Sequence, residues 1–282
     1  KHSPIQEKTV MYQAYRNNIM GGNPYGIFCE LIKNPEYEEY THIWVYKNEN
    51  SLNDDTFQKF SSYPNVIYVK NGTKQYYKFL ASCRYLISNA AFPLYWVKKE
   101  GQIYINTWHG TPLKTLGRQA KDKNLPSVIN AQRNFFLSDY MVMPNRYTID
   151  RMAEAYDLKG LFLGKVIDAG YPRIDLVLNT DRNHIREILQ KKLGTSLNGK
   201  KVVLYAPTFR SKQGESVNTV KETGEYMRRI VEILPPDYEL VFKVHNMMAS
   251  FFKTDKYMAD RLIFDEIETN ELLSITDVLI TD

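Results

Sequence analysis

With 282 residues, 43% of them apolar and 24% charged, the chain has material for one large or two medium cores, and this balance excludes a disordered or low-complexity protein. The formal net charge of +5 does not demand a nucleic-acid partner; its excess gathers in 114–123, 190–192 and 199–201, suited to phosphates or anionic lipids, or simply to a solvated face. No run approaches about 18 uninterrupted apolar residues and the first ten lack a signal-peptide core, while Cys29 and Cys83, without metal spacing, suggest a reducing, cytoplasmic setting.

In chain order, TVMYQAY (9–15) predicts the first strand, and MGGNPYG (20–26) after it reads as a tight turn. That turn matches neither the dinucleotide fingerprint G-x-G-x-x-G nor the Walker pattern with its Gly-Lys-Ser/Thr ending. NPYGIFCELIKN (23–34) places Ile27, Phe28, Leu31 and Ile32 on one helical face. Strands follow at THIWVYK (41–47), NVIYVK (65–70), YLISN (85–89), IYINTW (103–108) and YMVMP (140–144). Between the last two, SVINAQRNFFL (127–137) is a modest amphipathic helix of core rather than anchor type. PLYWVKKEGQ (93–102) mixes aromatics with lysines, and one such patch does not argue for nucleic acid. NRYTIDRMAEAY (145–156) is helical, with Ile149, Met152 and Ala153 on one face.

DAGYPRIDLVLN (168–179), the helical DRNHIREILQKKL (181–193) and the turn NGKK (198–201) lead into a second series of strands. These are KKVVLYAPTF (200–209), YELVFKVH (238–245), RLIF (261–264) and DVLITD (277–282). Val202, Val203 and Leu204 do not alternate with polar residues, as in parallel strands covered on both faces. The expected fold class is α/β, two Rossmann-like doubly wound domains over residues 1–178 and 179–282. The second stops directly after an apolar run and therefore reads as incomplete.

Ligands of open parallel sheets bind beyond the carboxyl ends of the strands. His109 follows one predicted strand, Thr208 and Arg210 a second, His245 a third and Asp282 a fourth. A neutral His109 imidazole can take a proton from a hydroxyl near neutral pH. Gly110 admits close approach to the backbone, and Thr111 with Pro112 resembles a helix start whose N–H groups hold an anion. Each has a plainer role open to it: a structurally bonded histidine, a solvated arginine, a helix N-cap for Thr208. His2, His42 and His184 lack metal-ligand spacing, so neither metal nor cofactor is expected.

Taken together, GGNPYGIF, YLISN, FPLYWVKKEGQIYINTWHGTPLKTLG, VVLYAPTFR, FKVH and ITDVLITD resemble the CDP-glycerol glycerophosphotransferase family of teichoic acid and related polymer synthesis. The resemblance implies a glycosyltransferase-B type fold, with the donor held by the C-terminal domain and the acceptor approaching from the N-terminal one. It implies transfer of glycerol phosphate, or a related polyol phosphate, from CDP-glycerol or CDP-ribitol to a hydroxyl of a lipid-linked polymer, releasing CMP. By motif, His109 corresponds to the general base and His245 to a second essential histidine near the donor pyrophosphate. Thr208, Arg210 and Asp282 fall on the donor side; Gly110, Thr111, Lys114 and Asn23 fall on the acceptor and phosphate side. Relatives continue past Asp282 with Tyr-Ser-Ser and a closing helix, so the chain is expected to be weakly active or inactive alone. Lipid-linked acceptors imply peripheral work on the cytoplasmic face of a bacterial plasma membrane, with contact sought between Lys114 and Phe136. The competing readings are a nucleotide-sugar transferase of the same fold and an inactive binding module at the membrane.

Overall fold

The structure, a computed structural model, describes residues 3–17, 19–53, 55–121, 124–207, 216–243, 259–263 and 267–281, without the side chains of 16, 55 and 216–223. It opens with β1 (Gln6–Gln13), α1 (Gly22–Leu31), β2 (Thr41–Tyr46), α2 (Asp55–Lys59), β3 (Val66–Lys70), α3 (Lys74–Ser82), β4 (Cys83–Ser88) and β5 (Ile103–Asn106). There follow α4 (Leu125–Leu137), β6 (Tyr140–Met143), α5 (Arg146–Ala155), β7 (Lys165–Asp168), α6 (Pro172–Asn179) and α7 (Arg182–Leu193). The remaining described elements are β8 (Lys201–Tyr205), α8 (Ser216–Ile233), β9 (Tyr238–Phe242), α9 (Thr269–Ser274) and β10 (Val278–Ile280). They gather into two compact units, Lys1–Asp175 and Leu176–Asp282, divided within α6.

The first unit is built on a seven-stranded parallel sheet in the order β3-β2-β1-β4-β5-β6-β7. Its central strands are buried on both faces, which is why their sequences do not alternate. Met11, Ile43, Val45 and Leu86 pack on one side with Phe92, Trp96 and Tyr104. On the other, Tyr12 stacks on Trp44 at 4.9 Å and Phe28 of α1 meets both rings edge-on. Helix starts are fixed locally, as at α3, α4, α5 and α7, where Thr73, Asn124, Asn145 and Asp181 accept backbone N–H bonds.

The second unit holds three described parallel strands in the order β10-β8-β9. Val202, Leu204 and Val241 pack with Ile185 and Leu189 of α7; Val203, Leu240 and Phe242 pack on the opposite face with Met227 of α8. Of the predicted strand at 261–264, the described part contributes a single parallel bridge, Leu262 to Phe242.

The seventh strand of the first sheet, β7, is not among the predicted ones. It is an outer strand, exposed along most of its length, and its sequence KVID offers no apolar run to read. The lysines of PLYWVKKEGQ turn out to tie the fold together: Lys98 pairs with Asp139, and Lys99 donates to the carbonyls of Ser3 and Ala81. Among the described residues no helix is long and apolar enough to cross a membrane.

Candidate active site

In the first sheet the chain moves outward from β1 to β2 and β3, then returns to lay β4 on the opposite side of β1. Loops leaving β1 and β4 thus part in opposite directions, and the crevice beyond those strand ends is where such sheets receive ligands. Four residues are joined there by hydrogen bonds: Tyr15 after β1, Asn89 after β4, His109 after β5 and Arg173 in the first turn of α6.

Two of the loops are held in left-handed backbone conformations that side-chain-bearing residues rarely adopt, Tyr15 at φ 46° and Trp108 at φ 49°. Each costs on the order of 1–3 kcal/mol and persists only where neighbours enforce it. Here the enforcers are asparagines. Asn89 accepts the Tyr15 N–H at 2.9 Å, and Asn106 accepts the Trp108 N–H at 2.9 Å. Asn106 is itself tied to the carbonyl of Ala90 and the hydroxyl of Tyr104.

Asn23, fully buried in the first turn of α1, donates to the carbonyls of Thr107 and Trp108 at 3.1 and 3.0 Å and accepts the Arg173 N–H at 3.3 Å. Its amide therefore joins the loop after β5 to the start of α6. The neighbouring glycines are dictated by crowding. A Cβ on Gly22, at φ 66°, would meet the Tyr15 ring, and one on Gly26 would stand 2.5 Å from the carbonyl oxygen of Pro172.

This scaffold presents His109, which is exposed, with its ring 4.0 Å from the buried Trp108 indole. His109 Nδ1 lies 2.7 Å from the Asn89 carbonyl oxygen. A carbonyl can only accept, so Nδ1 carries the hydrogen and the lone pair of the neutral ring sits on Nε2. Such a ring is oriented to take a proton at Nε2, with the carbonyl then steadying the imidazolium.

Beside it, Arg173 Nη1 donates to the His109 carbonyl at 3.1 Å and to the Tyr15 hydroxyl at 3.3 Å, with the guanidinium 5.0 Å over the Tyr171 ring. Burial pushes the Tyr171 hydroxyl above its ordinary pKa, partly opposed by neighbouring Thr111 and the Arg173 charge.

Of the other residues singled out from sequence, Gly110 faces open space where a Cβ would stand. The Thr111 hydroxyl accepts from Thr148 at 3.2 Å, and Lys114 is exposed on the same loop. Thr111 and Pro112 do not begin a helix: the chain runs irregularly to a short 3-10 turn at Gly117–Gln119, and α4 starts only at Leu125. Leu113, Lys114 and Thr115 are all exposed, so a helix there would bury no apolar face. Gly117, at φ 57°, passes so close to the Ala155 carbonyl that a Cβ there would clash with its oxygen. Thr208, Arg210, His245 and Asp282 lie outside the described residues.

Sequence reasoning passed over Tyr15, Asn89, Tyr171 and Arg173. The first two are the last residues of the predicted strands 9–15 and 85–89, beyond the observed ends of β1 and β4, and carried a positional signal. Tyr171 and Arg173 sit in DAGYPRID, read as a boundary, and nothing in that stretch announces that it returns to the end of β1.

The family model for CDP-Glycerol:Poly(glycerophosphate) glycerophosphotransferase matches residues 1–282. A teichoic acid poly(glycerol phosphate) polymerase of Bacillus spizizenii is 29% identical over 294 residues, 99% of this chain and 70% of the relative. Its namesake in Staphylococcus epidermidis is 29% identical, matching 100% of this chain and 38% of its own length. Among solved structures, a variant of the wall teichoic acid polymerase TagF soaked with CDPG superposes with a TM-score of 0.77 at 27% identity, covering 99% of this chain and 65% of that one. The Staphylococcus aureus MnaA-UDP structure, at 15% identity, a TM-score of 0.54 and coverage of 98% and 74%, shares the fold alone. The chain thus spans from 38% to 70% of the length of these polymerases.

Proposed function

Since the chain belongs to the CDP-glycerol:poly(glycerophosphate) glycerophosphotransferase family, we propose that it transfers glycerol phosphate from CDP-glycerol to a hydroxyl of a teichoic-acid-like polymer. The observation that carries this reading beyond family membership is the Nδ1 bond of His109 to the Asn89 carbonyl, which orients Nε2 as a base at the ligand-receiving end of the sheet. In the proposed reaction Nε2 removes the acceptor's hydroxyl proton as that oxygen bonds to the donor's β-phosphorus. The bond from that phosphorus to the bridging oxygen breaks, and CMP leaves with the electron pair. Charge develops mainly on phosphoryl oxygens, so positioning and electrostatic stabilisation carry most of the remaining work.

Residues 1–178 would receive the acceptor, with Asn23, Gly110, Thr111 and Lys114 shaping its approach. Residues 179–282 would hold the donor, through His245 at the pyrophosphate with Thr208, Arg210 and Asp282. These assignments follow the family motifs. A lipid-linked acceptor places the work at the cytoplasmic face of the membrane. Leu113, Leu125 and Ile129, each more than half exposed near Lys114 and Lys121, suit an anionic surface there.

A donor screen tests the reading. The protein at its full natural length, given a lipid-linked polyol phosphate acceptor, is expected to release CMP from CDP-glycerol. Release of CMP from CDP-ribitol instead would change the polyol, and release of UDP or GDP from a nucleotide sugar would replace the reading with a sugar transferase. Cosedimentation with anionic liposomes at low salt, lost at high salt, checks the membrane contact.

A further inference from the structure

Most described arginines of the first unit outside the crevice face a carboxylate: Arg84 with Glu7, Arg118 with Asp157, Arg146 with Asp150, Arg151 with Glu154. Arg173 does not. The described hydrogen bonds of its guanidinium go to two neutral oxygens through Nη1 alone, and no carboxylate lies within ion-pair distance among the described residues. A guanidinium carries five N–H donors in a fixed fork, so Nη2 and Nε keep donors to offer. A half-buried cation without a counter-charge is unfavourable until an anion reaches it.

The surroundings point the same way. Among the described residues, the amide nitrogen of Asn89 and the amide oxygen of Asn17 are buried without a hydrogen-bond partner. Asn17 lies two residues from Tyr15, and Asn89 is hydrogen-bonded to both Tyr15 and His109; native proteins rarely leave such atoms unsatisfied. Arg173 is also fixed before any ligand arrives, its N–H held by Asn23 and its head group by Tyr171.

From this arrangement we infer that Arg173 grips the phosphodiester of the acceptor's terminal unit, restricting the acceptor to chains that end in a polyol phosphate. The inference rests on the transferase reading above. In such a chain the attacking hydroxyl and its nearest phosphate belong to one polyol unit. A base and a phosphate-binding cation must then be neighbours, and Arg173 is bonded to the carbonyl of His109 itself. The fork gives the phosphate two parallel bonds, which a neutral terminal sugar cannot return.

The test uses the protein at its full natural length and a soluble probe, two glycerols joined by one phosphate, beside glycerol alone. Arg173→Gln is expected to weaken probe binding, and to raise the KM for a phosphodiester-ended acceptor, roughly tenfold or more. The KM for CDP-glycerol should move less than twofold, and the pH profile of kcat should keep its shape because His109 still supplies the base. Arg173→Lys, which keeps the charge without the fork, should lose part of the same affinity. If Arg173→Gln does not fold, this variant decides. Equal losses for the probe and for glycerol would assign Arg173 a purely structural role, and a raised donor KM would assign it to the donor's phosphates; either overturns the inference. Failure of the transferase reading is seen separately, in a wild-type protein of full natural length that releases no CMP, while probe binding still judges Arg173.

Discussion

At the scale of single residues, two histidines show how burial divides chemistry from structure. His109 is exposed at a strand end with its tautomer set by the Asn89 carbonyl. His109→Ala is expected to lower turnover about 10²- to 10⁴-fold, the range for loss of a general base. CDP-glycerol binding should survive, and steady-state kinetics with unchanged turnover would remove His109 from the mechanism. His42 is fully buried on β2, bonded through Nδ1 to the Tyr12 hydroxyl at 2.9 Å, and burial pulls its pKa down to about 4. In the unfolded chain an imidazole titrates near 6.5, so between about 6.5 and 4 the unfolded state binds a proton that the folded state refuses. The stability involved is fully present above that window and falls as pH drops through it, by on the order of 3 kcal/mol at most. Urea midpoints from pH 7.5 to 4 should therefore decline less steeply in His42→Leu than in the wild type, although that variant starts less stable. The sequence separated the pair only by placing one inside a strand and the other after one.

At the scale of elements, the site depends on how closely α1 and α6 approach. Gly26 faces the Pro172 carbonyl with no room for a methyl group, and Asn23, one turn earlier, holds the Arg173 N–H. Gly26→Ala should force the helices apart, costing about 1–3 kcal/mol as overpacking does. Because Arg173 moves with α6, acceptor binding should weaken as well; a variant with wild-type urea midpoint and wild-type acceptor KM would contradict the close-packing account. From sequence, MGGNPYG offered its glycines but not their reasons. Gly22 makes way for Tyr15 across the turn, and Gly26 for α6, a partner far away along the chain. Strand β7 escaped notice because an exposed outer strand has no apolar run, whereas β2 and β4, buried on both faces, were readable directly.

At the scale of the molecule, each unit has its own apolar core, with Met11, Ile43 and Leu86 central to one and Leu204, Val241 and Ile263 to the other. Leu204→Ala should open a cavity costing about 2–5 kcal/mol. Amide exchange should quicken across β8, β9 and β10 while β1 to β6 keep their protection; equal loss in both would show a single cooperative unit. The sequence by itself determined that alternating strands and helices build parallel sheets, that His109 follows a strand, and which family motifs the chain carries. These are local properties, set by side-chain pattern over a few residues. Only the tertiary structure decided that β4 returns to the far side of β1, and that Tyr15, Asn89, His109 and Arg173 therefore meet. The physical reason is that strand order, and the hydrogen bonds joining residues up to 158 positions apart, depend on how the sheet closes its core. No window of sequence records that choice.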